Sequence, residues 1–144
     1  MKKLVLALGL MVASTFAVNT VIAQGTTPVK VAGAEITLDK DVHNYGKIAK
    51  SSDGACYFTI TNTGNEPLLI TRAKGSCGCT VPEWPREAIA PGETAKMKVT
   101  YATNRVGKIN KSVTITSNAT NAPTKVVRIK GEVLAAGKTP AKIN

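Results

Sequence analysis

From Ala55 to Thr61 the side chains alternate well between two faces. Cys56, Phe58 and Ile60 fall on one side of an extended chain, and Tyr57, Thr59 and Thr61 fall on the other. Ala95, Met97, Val99 and Tyr101 repeat the pattern against Lys96, Lys98 and Thr100. Successive strand side chains point to opposite faces, so each segment is a strand with one buried side and one wet side. A sheet that is dry on one side needs a second layer to cover it. Two such strands therefore exclude a helical bundle and require packed sheets.

The rest of the chain supplies more short strands separated by turn signals. Glu35 to Leu38 alternates briefly, and Val42 to Ile48 follows with Tyr45 and Ile48 pointing inward around Gly46, a split first strand of a kind common in sandwiches. Asn62-Thr63-Gly64-Asn65 is a turn, because Asn and Gly tolerate positive φ. Pro67 precedes a strand from Leu68 to Ala73. Pro82, Trp84 and Pro85 mark an irregular connection, since proline cannot donate to a ladder. Pro91-Gly92 suits the central positions of a type II turn. Ile109, Val113 and Ile115 mark another strand, and Val127, Ile129 and Val133 the last, interrupted at Gly131. About seven strands at this spacing, with no helical period, predict an all-β, Ig-like antiparallel β-sandwich over 35–134.

Both ends differ from this body. Lys2 and Lys3 precede an apolar run from Leu4 to Val18, and Val21-Ile22-Ala23 follows as a small-residue cleavage site. That order is the layout of a secretory signal peptide over 1–23, with Gln24 the expected first residue after cleavage. The run is short for a membrane span, which takes about 20 apolar residues. Residues 24–34 read as a flexible leader and 135–144 as a flexible, lysine-bearing tail. The expected location is exported, periplasmic or extracellular.

The 144-residue chain carries 19 basic and 9 acidic residues, a net charge of +10. Its basic residues stand singly along the strands, and aromatics are few. Nucleic-acid binding asks for a clustered basic stripe, so that class is set aside. Solvated strand faces with some attraction to anionic envelope surfaces are expected instead.

An ordered set of motifs runs through the body: Tyr45-Gly46-Lys47-Ile48, Phe58 to Gly64, Pro67-Leu68-Leu69-Ile70, Ser76-Cys77-Gly78-Cys79-Thr80, Ile89-Ala90-Pro91-Gly92-Glu93 and Gly107-Lys108. Together they resemble the bacterial domain-of-unknown-function family 1573, over roughly Val42 to Val133. The resemblance implies an exported protein with an Ig-like domain similar to those of ciliary, centrosomal and major sperm proteins. It implies no assigned activity.

Reactive groups concentrate in Gly75 to Pro82, which holds two of the three cysteines. Three readings of Cys77 and Cys79 stay open. Two thiolates one residue apart converge on a soft ion, and sulfur ligands select Cu(I). Alternatively the pair forms a small disulfide that exchanges with other thiols. In the third reading, Cys56 bridges to Cys77 or Cys79 and ties the loop to the core, as an oxidising compartment favours. Trp84 is either a grip for a partner or a lid on the end of the sandwich. His43 has no catalytic constellation around it, and there is no Ser-His-Asp pattern, paired carboxylate site or phosphate loop. The expectation is a non-catalytic envelope module, with no cofactor, that binds a protein or an envelope polymer. A Cu(I)-binding or thiol-redox protein is the alternative.

Overall fold

The computed structural model describes residues 32–137. The signal segment expected at 1–23, the leader as far as residue 31 and the tail from residue 138 lie outside them. Eight strands follow in order: β1 (Ile36–Leu38), β2 (Val42–Ala49), β3 (Ala55–Asn62), β4 (Ile70–Gly75), β5 (Thr80–Glu83), β6 (Thr94–Tyr101), β7 (Gly107–Ser117) and β8 (Thr124–Leu134). They form two four-stranded sheets, β1-β3-β6-β5 and β2-β8-β7-β4. This is an all-β, Ig-like sandwich. Among the described residues no helix is long and apolar enough to cross a membrane.

The two alternating segments sit at the centre of the first sheet. β3 pairs with β6 antiparallel, and Phe58 lies directly opposite Met97. Their inward side chains meet those of β7 and β8. Phe58, Ile60, Met97, Val99, Val113, Val127 and Ile129 have no exposed surface. Each large apolar side chain so buried contributes about 1.5–3 kcal/mol before conformational entropy is subtracted.

The first strand is split, as the sequence suggests. β1 joins the first sheet beside β3, and β2 crosses to the second sheet beside β8. The crossing has a consequence the sequence did not convey: β2 runs parallel to β8, whereas every other strand pair is antiparallel. At Pro91-Gly92 the expected turn is present. Gly92 has φ 81° and the Glu93 amide donates to the Ala90 carbonyl at 3.0 Å.

Two expectations need correction. The stretch around Pro82, read as an irregular connection, contains β5, which pairs with β6 from Thr80 to Glu83. β5 is the last strand of its sheet, and an edge is where a strand tolerates proline. This eighth strand brings each sheet to four. Leu68 forms an isolated bridge with Ile89, and β4 begins two residues later, at Ile70.

Asn62, read as part of a turn, is a buried hub at the end of β3. Its amide donates to the carbonyls of Glu66 at 2.7 Å and Ile89 at 2.8 Å, and its Oδ1 accepts from the Gly64 amide at 3.0 Å. Most buried polar groups in folded proteins are hydrogen-bonded, and Asn62 is.

Candidate functional site

β4 is an edge strand of the second sheet and β5 an edge strand of the first, so the segment between them steps across one side of the sandwich. That segment is Ser76-Cys77-Gly78-Cys79. Backbone bonds to both sheets anchor it. The Ser76 amide donates to the Ser112 carbonyl at 2.8 Å, and the Ala102 amide donates to the Cys79 carbonyl at 2.9 Å. The Thr80 amide closes the turn on the Cys77 carbonyl at 3.2 Å. Gly75 allows the step: a β-carbon there would overlap the Thr80 carbonyl oxygen.

A disulfide joins Cys77 to Cys79, with their Cα atoms 5.2 Å apart. The two sulfurs differ in access. Cys79 is buried and Cys77 is half-buried. The buried Thr80 hydroxyl serves both, with its Oγ1 3.7 Å from Cys77 Sγ and 3.8 Å from Cys79 Sγ. A disulfide sulfur carries no proton, so the hydroxyl donates. A groove of about 390 Å³ opens beside the loop between Lys74 and Pro82, and Cys77 lines it while Cys79 does not.

Cys56 is a free, buried thiol, apart from this pair. The bridge from Cys56 to Cys77 or Cys79 is not the pairing found, and the register explains why. Cys56 stands opposite Val99 on β6, and Val99 stands opposite Pro82 on β5. Two strand spacings, about 10 Å, therefore separate Cys56 from β5, and a disulfide spans Cα atoms no more than about 7 Å apart. Burial raises the Cys56 thiol above its ordinary pKa. Tyr45, also raised by burial first and then by its hydrogen bond with Cys56, donates its hydroxyl to the Gly54 carbonyl at 2.7 Å.

For Cu(I), the disulfide leaves Cys77 and Cys79 without thiolates, so a metal reading requires the reduced pair. Among the described residues no cluster of three or more His, Cys, Asp or Glu gathers to complete a site. His43 packs edge-on against Tyr45 at 4.6 Å, with its pKa lowered by burial and then by Lys40. It lies on β2, in an edge strand of the second sheet away from the disulfide.

Trp84 is half-buried just beyond β5 and packs against the core. Its Nε1 donates to the Ile70 carbonyl on β4 at 3.2 Å, and the Arg86 guanidinium stacks over the ring at 4.0 Å. The tryptophan thus links the two sheets on the side that carries the disulfide.

One feature escaped the sequence reading. Six of the basic residues that stand singly along the chain gather on the outer face of the second sheet. Lys108 pairs across Glu132 with Lys47, and Lys130 lies between Asn110 and Asn44. Arg128 opposes Ser112, while Arg72 and Lys74 oppose Thr116 and Thr114. All six cations are exposed, and Glu132 is the carboxylate among them. The signal was present as the parity of the cations along each strand, but parity aligns between strands only once the register is known.

No curated protein matches the sequence. Solved structures match in fold. A protein of unknown function from Porphyromonas gingivalis W83 superposes with a TM-score of 0.63 at 16% identity, over 76% of this chain and 51% of that one. This chain therefore spans about half the length of that protein. The ASH/PapD-like domain 7 of human CEP192 superposes with a TM-score of 0.60 at 8% identity, over 85% of this chain and 99% of that domain. The periplasmic chaperone SfaE gives 0.51 at 12% identity, over 74% of this chain and 59% of that one. In sequence, residues 36–133 match the family described as Protein of unknown function (DUF1573), the family that the motifs from Tyr45 to Lys108 resemble, and the chain belongs to it.

Proposed function

We propose that this chain is an exported, non-catalytic Ig-like module of the bacterial envelope, which binds a partner protein along the side formed by β4 and β5. The observation that carries this reading is the construction of that side. Two edge strands, one from each sheet, lie together, closed at one end by the disulfide loop and braced by Trp84 and Arg86. An edge strand turns one row of backbone groups outward, and an extended peptide can add to it. Val81, 52% exposed on β5, offers an apolar contact there. The likeness to a periplasmic chaperone agrees with protein binding by this fold. The charged N-terminal residues, apolar run and small-residue site at Val21-Ile22-Ala23 support export.

The test is a photo-crosslinking residue at Val81 in the full chain, expressed in its own host, with the same probe at Tyr57 on the outer face of the first sheet. A discrete protein adduct from Val81 and none from Tyr57 is expected. Equal labelling from both positions, or none from Val81, rejects the β4–β5 side. Fractionation with N-terminal sequencing checks export, with Gln24 expected as the first residue of the mature protein.

A further inference from the structure

We propose that the Cys77–Cys79 disulfide is an electron acceptor for a dithiol on a partner protein, with Cys77 as the sulfur attacked. Delivery of that dithiol on an extended segment rests on the binding reading above. The reactivity of Cys77 does not.

A structural disulfide ties together parts of the chain that would otherwise separate, and its effect on the unfolded chain grows with the loop it closes. This one spans a single residue, Gly78. The loop it crosses is already fastened at Ser76, Cys79 and Thr80 by backbone hydrogen bonds to Ser112, Ala102 and Cys77. Opening the bridge therefore leaves the loop attached to both sheets. The bond adds little that the backbone does not supply, and it stands where a partner can reach it.

The surroundings favour exchange at one sulfur. Cys77 lines the groove and Cys79 is buried behind it, so an incoming thiolate meets Cys77 Sγ and expels Cys79. Lys74 lines the same groove and places a positive charge where a thiolate approaches. The Thr80 hydroxyl, within 3.8 Å of both sulfurs, donates to whichever sulfur leaves as an anion. β4 and β5 flank the groove with the outward backbone edges that position an extended segment.

The chemistry closes in two steps. The partner's first thiolate attacks Cys77 Sγ, forming a mixed disulfide as the Cys77–Cys79 bond breaks, and the bond pair leaves on Cys79, which takes a proton from solvent. The partner's second thiolate then attacks the partner sulfur of the mixed disulfide and expels the Cys77 thiolate, which is protonated in turn. The partner dithiol loses two electrons and two protons to become a disulfide, and Cys77 and Cys79 gain both as thiols.

The test uses the purified full chain with dithiothreitol and with reduced glutathione, quenched by alkylation and mapped by mass spectrometry. Dithiothreitol should open the Cys77–Cys79 bridge while circular dichroism stays native and Cys56 stays unlabelled. Glutathione should be trapped on Cys77 in the wild-type chain. In single variants, the Cys77 thiol of Cys79→Ser should react with an aromatic disulfide reagent at least about tenfold faster than the Cys79 thiol of Cys77→Ser, because access controls exchange. If a variant fails to fold, the wild-type glutathione map decides alone. A bridge that resists dithiothreitol until the protein unfolds, or glutathione found on Cys79, overturns the proposal. Loss of the Val81 crosslink with exchange intact would remove the binding reading and leave Cys77 as the reactive sulfur.

Discussion

Gly75 and Thr80 stand in backbone contact: a β-carbon on Gly75 would overlap the Thr80 carbonyl oxygen. The contact draws the two ends of the Cys-Gly-Cys loop together and joins the edge of one sheet to the edge of the other. Gly78, inside the loop, has open space around it, and its φ is not positive. The two glycines should therefore respond in opposite ways. Gly75→Ala should cost about 1–3 kcal/mol, the range for forcing atoms into a closed site. Gly78→Ala should stay within about 0.5 kcal/mol, as for an unconstrained surface position. Denaturant unfolding of both variants without reductant checks the pair, and equal losses would contradict the account.

Asn62, the last residue of β3, is linked to Ile89. The Asn62 amide satisfies the Ile89 and Glu66 carbonyls inside the protein. Asn62→Ala would leave the Glu66 carbonyl and the Gly64 amide without a partner and the Ile89 carbonyl with the Leu68 amide alone, at about 1–3 kcal/mol for a buried group left unsatisfied. A total loss of about 3 kcal/mol is expected. Asn62→Asp should be no better, because a carboxylate cannot donate to two carbonyls. Thermal unfolding of both variants checks this.

The Tyr45 hydroxyl and the Cys56 thiol both have raised pKa values, chiefly from burial. Both groups are neutral when protonated. The unfolded chain loses these protons near their ordinary values of 9.0 for Cys56 and 10.0 for Tyr45, while the folded chain retains them. The unfolded state therefore binds fewer protons in that window, and stability falls as pH rises through it. Below pH 9 their full contribution is present. Tyr45→Phe loses the bond to Gly54, about 1 kcal/mol at neutral pH, and the deficit should narrow above pH 10. A deficit that stays constant from pH 7 to pH 11 would count against it.

Trp84 is the single tryptophan of the chain, so its fluorescence reports the β4–β5 side without interference. Arg86→Ala uncovers one face of the ring. It should raise quenching by acrylamide and cost about 0.5–1 kcal/mol, the worth of an exposed cation–π contact. Replacing Trp84 by Phe removes the donor to Ile70 as well and should cost more than the Arg86 change.

The six cations on the outer face of the second sheet should dominate binding to polyanions. Arg128→Glu with Lys130→Glu should move elution from a sulfated matrix to lower salt. Lys96→Glu with Lys98→Glu, on the other sheet where Glu83 already pairs with Lys98 at 3.3 Å, should move it less. Exposed charges contribute little to folding, so melting temperatures should change little in either variant.

The sequence alone determined the two central strands, since alternation from Ala55 to Thr61 and from Ala95 to Tyr101 fixes which side chains are buried whatever the neighbours are. It also determined the Pro91-Gly92 turn, because φ is set locally there, and the motifs of the family. Other features waited for the tertiary structure. β5 is hidden in a proline-bearing stretch that reads as a loop until β6 lies beside it. The partner of Cys77 depends on how far β3 stands from β5, a distance set by the intervening β6. Asn62 looks like a turn residue until the carbonyls of Glu66 and Ile89 are brought to it. The basic face exists only once strands distant in sequence align in register. Periodicity and turn chemistry act between residues close in the chain, whereas pairing, register and burial of polar groups are decided by contacts between residues tens of positions apart.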